Sequence, residues 1–204
     1  MEKIDFKKQL SYYSTKAGKP QIVEVPTMNY LIVDGKGDPN TSTAFTEAIE
    51  ALYKVSYTLK FMIKKSAKGI DYGVMPLEAL WWADDMNDYL LRNKDKWLWS
   101  AIIMQPEYVT EALYKEALAI AADKKDLPAL SKMRFEPITE GLCAQVMYVG
   151  PYDQETETIS QLHAFVKEKG YGLNSKHHEI YMNDMRKTAP EKLKTIIRQP
   201  IIKK

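Results

Sequence analysis

Glu179 and Tyr181 are the residues of this chain best suited to bind or transform a small molecule. They lie in the short apolar run 179–182, which predicts a β-strand, and residues two apart in a strand project from the same face. A carboxylate among aromatic rings can pair with a cation, or act as an acid or base when desolvation raises its pKa. We therefore predict Glu179 and Tyr181 as catalytic residues, the first for proton transfer and the second, with Tyr148 as the alternative, for stabilising an oxyanion.

A wider set of acidic and aromatic residues is predicted to line the ligand site. Glu78 aligns with Glu179 when the two halves of the chain are superposed, and Trp82 lies on the same strand face as Glu78. Aromatic rings bind flat molecules by stacking and cations by cation–π attraction. The predicted ligand-binding residues are Glu78, Trp82, Trp97, Trp99, Tyr148 and Tyr152. The alternative for each is structural, as an exposed carboxylate or a ring that fills the core.

The superposition of the halves depends on a five-residue motif that occurs twice. The sequence IIMQP at 102–106 returns as IIRQP at 196–200, with one residue changed. Each half reads strand, turn, helix, strand, strand, and the two closing strands are adjacent in sequence, which favours an antiparallel sheet. The predicted class is α+β, with duplicated strand–helix–strand–strand modules related by a pseudo-twofold axis around a central ligand cleft.

The same pattern of predicted strands and helices gives the boundaries of the domain and its modules. Residues 1–20 are polar and rich in lysine, and they predict a loosely held N-terminal arm. Residues 21–204 then form a single domain. Module one covers about 22–106, a connecting helix about 107–125, and module two about 133–204.

Composition argues against several classes of protein. The chain has 204 residues, of which 45% are hydrophobic and 27% charged, as in folded soluble proteins. A net charge of +2 without a clustered basic face argues against nucleic acid as a partner. The chain shows no secretory signal and no apolar run long enough to cross a bilayer, so no membrane partner and a cytoplasmic location are expected.

No metal or cofactor is expected either. His177 and His178 are adjacent in a predicted strand, so they point to opposite faces, and no third ligand lies near them in sequence. The glycines at 35 and 37 lack the Gly-Lys-Ser/Thr ending of a phosphate-binding loop. The sequence also lacks the Gly-x-Ser-x-Gly motif of serine hydrolases.

Several motifs together resemble the GyrI-like small-molecule-binding family. They are VPTMNY at 25–30, DGKGDPN at 34–40, LEALWW at 77–82, HEIY at 178–181, and APEKLK at 189–194 followed by IIRQP. The resemblance implies two strand–helix–strand–strand modules around a central cleft, the fold of the effector-binding half of multidrug-sensing transcription regulators. It also implies that a glutamate on a central strand meets cationic aromatic drugs, and Glu179 occupies the matching position.

The resemblance leaves two functions open. The chain has no helix-turn-helix segment in front, so it is similar to the stand-alone members, which bind hydrophobic planar small molecules, cations and xenobiotics among them. One subfamily with an aromatic cage hydrolyses the cyclopropane of cyclopropanoid DNA-alkylating natural products, and the pair Trp81-Trp82 resembles that group. A third interpretation, a contact that restrains DNA gyrase, ranks last because the sequence predicts no acidic surface that mimics DNA.

Overall fold

The computed structural model describes residues 3–85, 93–124 and 126–204. These residues form four helices and nine strands whose ladders are antiparallel, which confirms the α+β class. The helices are α1 (Phe6–Gln9), α2 (Thr43–Lys65), α3 (Glu111–Lys124) and α4 (Thr156–Glu168). The strands are β1 (Gln21–Val25), β2 (Met28–Lys36), β3 (Glu78–Trp82), β4 (Leu98–Gln105), β5 (Arg134–Ile138), β6 (Gly141–Val149), β7 (Tyr171–Leu173), β8 (His177–Tyr181) and β9 (Lys194–Lys203). No helix in the described ranges combines the length and the apolar character that crossing a membrane requires.

The chain divides into two compact units. Unit 1 contains the residues up to Phe6, Met28–Met75 and Trp81–Ile138, and unit 2 contains Lys7–Thr27, Pro76–Leu80 and Thr139–Lys204. This division differs from the predicted modules, because β1 belongs to unit 2, where it pairs with β6. The pseudo-twofold relation of the halves and the central cleft stay predictions.

Unit 1 is built on the strand order β4–β2–β5, with α2 packed against β2 and β4. The apolar positions of α2 recur every three or four residues, so one face of the helix is buried. That face comprises Phe45, Ala48, Leu52, Val55, Leu59 and Ile63. The indole of Trp99 lies against Gly35 on the paired strand, where an added Cβ would come within 2.1 Å of the ring. Trp99 therefore needs a glycine at position 35.

Unit 2 has the strand order β1–β6–β9–β8, and β7 pairs with the end of β9. Helix α4 packs on β6 and β7. The core between the helix and the strands consists of Ala144, Val146, Leu162, Val166, Ile197 and Ile201. Gly170, at a φ of 79°, follows the end of α4 and adopts the left-handed conformation that favours glycine at this position.

The register of unit 2 assigns its side chains to two faces. Ile197 is paired with Val146 on one side and Glu179 on the other, so these three share the face that α4 covers. Arg198 is paired in the same way with Gln145 and His178, which therefore share the opposite face. Two sets of polar residues follow from this alternation, one on each face of the same strands.

The N-terminal residues are held more firmly than their polar composition predicts, so the prediction of a loose arm is wrong. Tyr13 is buried, and its hydroxyl donates a hydrogen bond of 2.6 Å to Glu78 Oε1. The carbonyl of Tyr12 accepts from Arg198, and Ala17 forms a bridge with Met147. The aromatic pair at positions 12 and 13 anchors this segment in unit 2.

Candidate functional site

Glu179 lies at the centre of a hydrogen-bonded cluster on the α4 face of unit 2. Its side chain is 9% exposed. His177 Nε2 lies 3.2 Å from Glu179 Oε1, and the hydroxyl of Tyr181 donates to Oε2 at 2.7 Å. A further hydrogen bond joins Glu179 to the buried carboxyl group of Glu155, just before α4. Alternation along β8 explains the arrangement, because residues 177, 179 and 181 project to the same side.

These contacts set the charge of Glu179. Burial alone would raise its pKa, but the hydrogen bonds from His177, Tyr181 and Glu155, together with the charge of His177, lower it below the ordinary value. Glu179 is therefore a buried carboxylate, suited to pair with a cation or to accept a proton. Tyr181 has one hydroxyl proton and donates it to Glu179, so its first role in this arrangement is to stabilise that charge.

Two further tyrosines, Tyr152 and Tyr148, lie beside the cluster. The ring of Tyr152 meets the ring of Tyr181 edge to face, with centroids 5.3 Å apart. Both rings are partly exposed. Tyr148 lies on the same sheet face, but its hydroxyl donates to the carbonyl of Pro151 at 2.9 Å. That use of the hydroxyl argues against the predicted oxyanion role of Tyr148 and favours a role in shaping the turn.

Two polar atoms of the cluster have no partner among the described residues. Thr195 is paired with Tyr148 on one side and Tyr181 on the other, so its side chain lies on the same face as theirs. Its Oγ1 is buried and makes no hydrogen bond within the described part of the chain. The same holds for Nε2 of His163 on α4. Buried polar atoms normally find a partner, so a ligand or water is expected beside them.

Glu78 does not join this cluster, so its predicted place beside Glu179 is wrong. Glu78 is fully buried, and its Oε2 lies 2.9 Å from Nε2 of His178, on the face of β8 opposite Glu179. The hydroxyl of Tyr13 satisfies its other oxygen. The superposition of the halves places two glutamates on one face, but in the structure Glu78 pairs with His178 on the opposite face. Its function here is structural.

The residues around Glu78 form a buried chain of alternating charges. His178 Nδ1 lies 2.9 Å from Glu140 Oε1, and Arg198 Nη1 lies 2.8 Å from Glu140 Oε2. Arg198 also donates to Gln145 Oε1 at 3.0 Å. We call Glu78, His178, Glu140 and Arg198 the buried ion network. Its formal charges cancel when His178 is protonated, as burial of four ionised groups requires.

The buried ion network predicts a loss of stability at alkaline pH. Burial would lower the pKa of His178, but Glu140 and Glu78 raise it to about 9, from an ordinary value of 6.5. The stabilisation by His178 is therefore complete below pH 6.5 and is lost as the pH rises through about 9. We expect the free energy of unfolding to fall by about 3 kcal/mol over this range, since one pKa unit corresponds to about 1.4 kcal/mol.

Urea denaturation at a series of pH values measures this effect. His178→Gln should be less stable than the wild type at pH 6.5 and should lose most of the pH dependence. His163 serves as the comparison, because burial and the neighbouring His177 lower its pKa and His163→Gln leaves the network intact. An equally steep alkaline fall in His178→Gln would contradict the assignment.

The predicted tryptophans lie in unit 1. Trp99 is fully buried against Phe45, with ring centroids 4.9 Å apart, and Trp97 packs against Trp81 at 5.6 Å. Trp99 is thus a core residue, and its predicted contact with a ligand is wrong. Trp97 is also buried and packs in the same aromatic cluster. Trp82 is partly exposed, and its role as a ligand contact stays a prediction.

A separate apolar groove of about 300 Å³ lies in unit 1, between the end of α2 and the start of α3. Its lining residues are Met62, Ile63, Ser66, Ala67, Lys68, Tyr108 and Leu113. Among the described residues that line this groove, none has a carboxylate or an imidazole side chain.

Comparison with known proteins identifies a family and similar solved structures. The model of the GyrI-like small molecule binding domain matches residues 18–202. A conserved protein from Listeria innocua is 40% identical, with a TM-score of 0.90 over 98% of this chain and 100% of its own. A hydrolase from Listeria innocua is 38% identical, with a TM-score of 0.85 over the same shares of the two chains. None of the curated proteins gives a match.

A more distant similarity concerns the fold alone. The C-terminal domain of EcmrR is 14% identical, with a TM-score of 0.57 over 91% of this chain and 98% of its own.

Proposed function

The chain belongs to the GyrI-like family of small-molecule-binding domains, and from this premise we propose that it binds hydrophobic, planar cations around Glu179. The observation that carries the proposal is a buried carboxylate held ionised next to partly exposed aromatic rings. A cation at this position would replace hydration with charge pairing and ring contacts. Neutral planar molecules would keep the ring contacts but would lack the charge pairing.

Each residue of the cluster has a part in this proposal. Glu179 supplies the charge, while His177 and Tyr181 hold it in place. The rings of Tyr152 and Tyr181 offer faces and edges to a flat ligand. Thr195 Oγ1 is a candidate hydrogen-bond partner for a polar group of the ligand. Recognition of xenobiotics, with a role in detoxification inside the cytoplasm, is the biological setting that we propose.

A second candidate function is hydrolysis of cyclopropanoid toxins at the same cluster. Two facts support it: the Listeria innocua relative described as a hydrolase, and a carboxylate at Glu179 able to accept a proton. The water oxygen would bond to a ring carbon, and a carbon–carbon bond of the cyclopropane would break. The electron pair of that bond would move into the conjugated carbonyl, and Glu179 would take the proton of the water. The resulting enolate then takes this proton from Glu179, which gives the ring-opened alcohol and restores the carboxylate.

Equilibrium dialysis followed by mass spectrometry tests both functions. The probes are N-methylacridinium, the uncharged methylanthracene of the same shape, and a cyclopropane conjugated to a carbonyl. We expect N-methylacridinium to be retained more tightly than methylanthracene. A product heavier than the cyclopropane by one water, formed over many turnovers, would favour the hydrolase. Retention of neither planar compound would refute the binding function.

A further inference from the structure

Glu155 is a second acidic residue of the cluster, and the sequence analysis assigned it no role. It follows the short helical turn Tyr152–Gln154, and its carbonyl accepts from Ile159 N at 3.0 Å as α4 begins. Only 6% of the residue is exposed, which is unusual for a glutamate at the start of a helix. Its carboxyl group is hydrogen-bonded to that of Glu179.

A hydrogen bond between two carboxyl groups requires a proton. Ionised carboxylates only accept hydrogen bonds, so one of the pair has to be protonated for the bond to exist. Glu179 already accepts from His177 and Tyr181, and both bonds favour its ionised form. The proton therefore resides mainly on Glu155, which donates it to Glu179.

The surroundings of the pair are mixed in charge. The ionisable groups that face it, from α4, β6, β8 and the turn before α4, are His163, His177, Tyr148, Tyr152, Tyr181 and Asp153. Burial is the main cause that raises the pKa of Tyr148, so Tyr148 stays neutral at physiological pH. His177 contacts the pair through Nε2, which lies 3.2 Å from Glu179 Oε1.

We propose that Glu155 and Glu179 hold one proton between them in the free protein and that a bound planar cation displaces this proton. The inference rests on the proposed binding of cations. Two buried carboxylates side by side repel each other, so without a ligand the pair retains a proton. The positive charge of a ligand removes that repulsion, and the second carboxyl group can then ionise. Binding of cations, unlike that of neutral molecules, becomes stronger as the pH rises.

Calorimetric titration with N-methylacridinium, in buffers of different ionisation enthalpy, counts the protons released. We expect the wild type to release up to about one proton per bound cation at neutral pH, and none with methylanthracene. Glu155→Gln can still donate to Glu179 but carries no ionisable proton, so it should bind the cation without releasing one. A matched control is Glu157→Gln, at an exposed acidic position in the first turn of α4.

Three results decide the inference. Binding of the cation by the wild type without proton release overturns it and leaves the proposed function standing. Equal release by Glu155→Gln overturns it as well, because the proton would come from another group. If the wild type binds neither probe, the proposed function fails, and NMR of labelled glutamate carboxyl carbons in the free protein tests the pair itself. One carboxyl group should then remain protonated at neutral pH, and that signal should be absent from Glu155→Gln.

Discussion

Arg198→Met is expected to lower the free energy of unfolding by about 3–5 kcal/mol, the range found when one partner of a buried ion pair is removed. The change converts IIRQP at 196–200 into the IIMQP of 102–106, so it follows the chain's own repeat. In unit 1 the corresponding Met104 is buried. In unit 2 the same side chain would leave Glu140 without the guanidinium that its carboxylate pairs with.

The loss of stability in Arg198→Met comes from the buried polar groups that lose Arg198 as a partner. Burial would raise the pKa of Glu140, but His178 and Arg198 lower it to about 2. Without Arg198, that carboxylate would keep His178 as its partner, and Gln145 and the carbonyl of Tyr12 would each lose a donor. Since Tyr12 belongs to the N-terminal segment, Arg198→Met should also expose residues 7–20 to limited proteolysis.

A double-mutant cycle separates the ion pair from simple loss of packing. Glu140→Gln removes the charge that Arg198 compensates, so adding it to Arg198→Met should cost less than the sum of the two single changes. Thermal and urea denaturation of the four proteins give the coupling energy. Additive losses would mean that Arg198 stabilises unit 2 by packing alone.

Periodicity predicted the elements that carry the site, and it predicted the faces of β8 correctly. Helix α2, helix α4 and strands β6 and β8 lie where the spacing of apolar residues places them. Glu179 and Tyr181 share one face and His178 lies on the other, because alternation in a strand is a local property. The apolar run 72–75 also predicts a strand, but Tyr72 forms only an isolated bridge to Ile4, so that prediction is wrong.

The periodicity of the sequence could not predict the contacts between side chains of different strands. Glu78 and Trp99 have the composition of ligand contacts, but His178 neutralises the first and Gly35 accommodates the second. Both contacts join positions that are far apart in sequence. The sequence could have indicated His177, since it lies two residues before Glu179 and four before Tyr181 and so projects to the same face of the strand. No feature of the sequence indicated a place for Glu155 in the site, because a glutamate before a helix is ordinarily exposed and stabilises the helix dipole.

Glu179→Gln is expected to weaken binding of N-methylacridinium by about 10- to 100-fold, since an interaction with a charged group is worth about 1.5–3 kcal/mol. The amide has nearly the same shape as the carboxylate but carries no charge. It can still accept a hydrogen bond from Tyr181, so the cluster should keep its packing. Methylanthracene, which makes only ring contacts and apolar contacts, should bind the variant almost as well as the wild type. Equilibrium dialysis with both probes measures the difference.

The matched control is Glu168→Gln, which removes an exposed carboxylate from the last turn of α4. It changes the net charge of the protein by the same amount, so any general electrostatic attraction of cations is altered equally. Unchanged affinity in Glu168→Gln together with selective loss in Glu179→Gln would locate the cation at Glu179. An equal loss for both probes in Glu179→Gln would instead indicate that the cluster had rearranged.

If the protein turns over a conjugated cyclopropane, the same variant separates catalysis from binding. A general base typically contributes about 100- to 10,000-fold to a rate, so kcat should fall by this order in Glu179→Gln. The neutral cyclopropane is held by ring contacts, and KM should therefore change little. A higher KM with kcat preserved would instead assign Glu179 to binding alone. Water would then attack the strained ring without the help of Glu179.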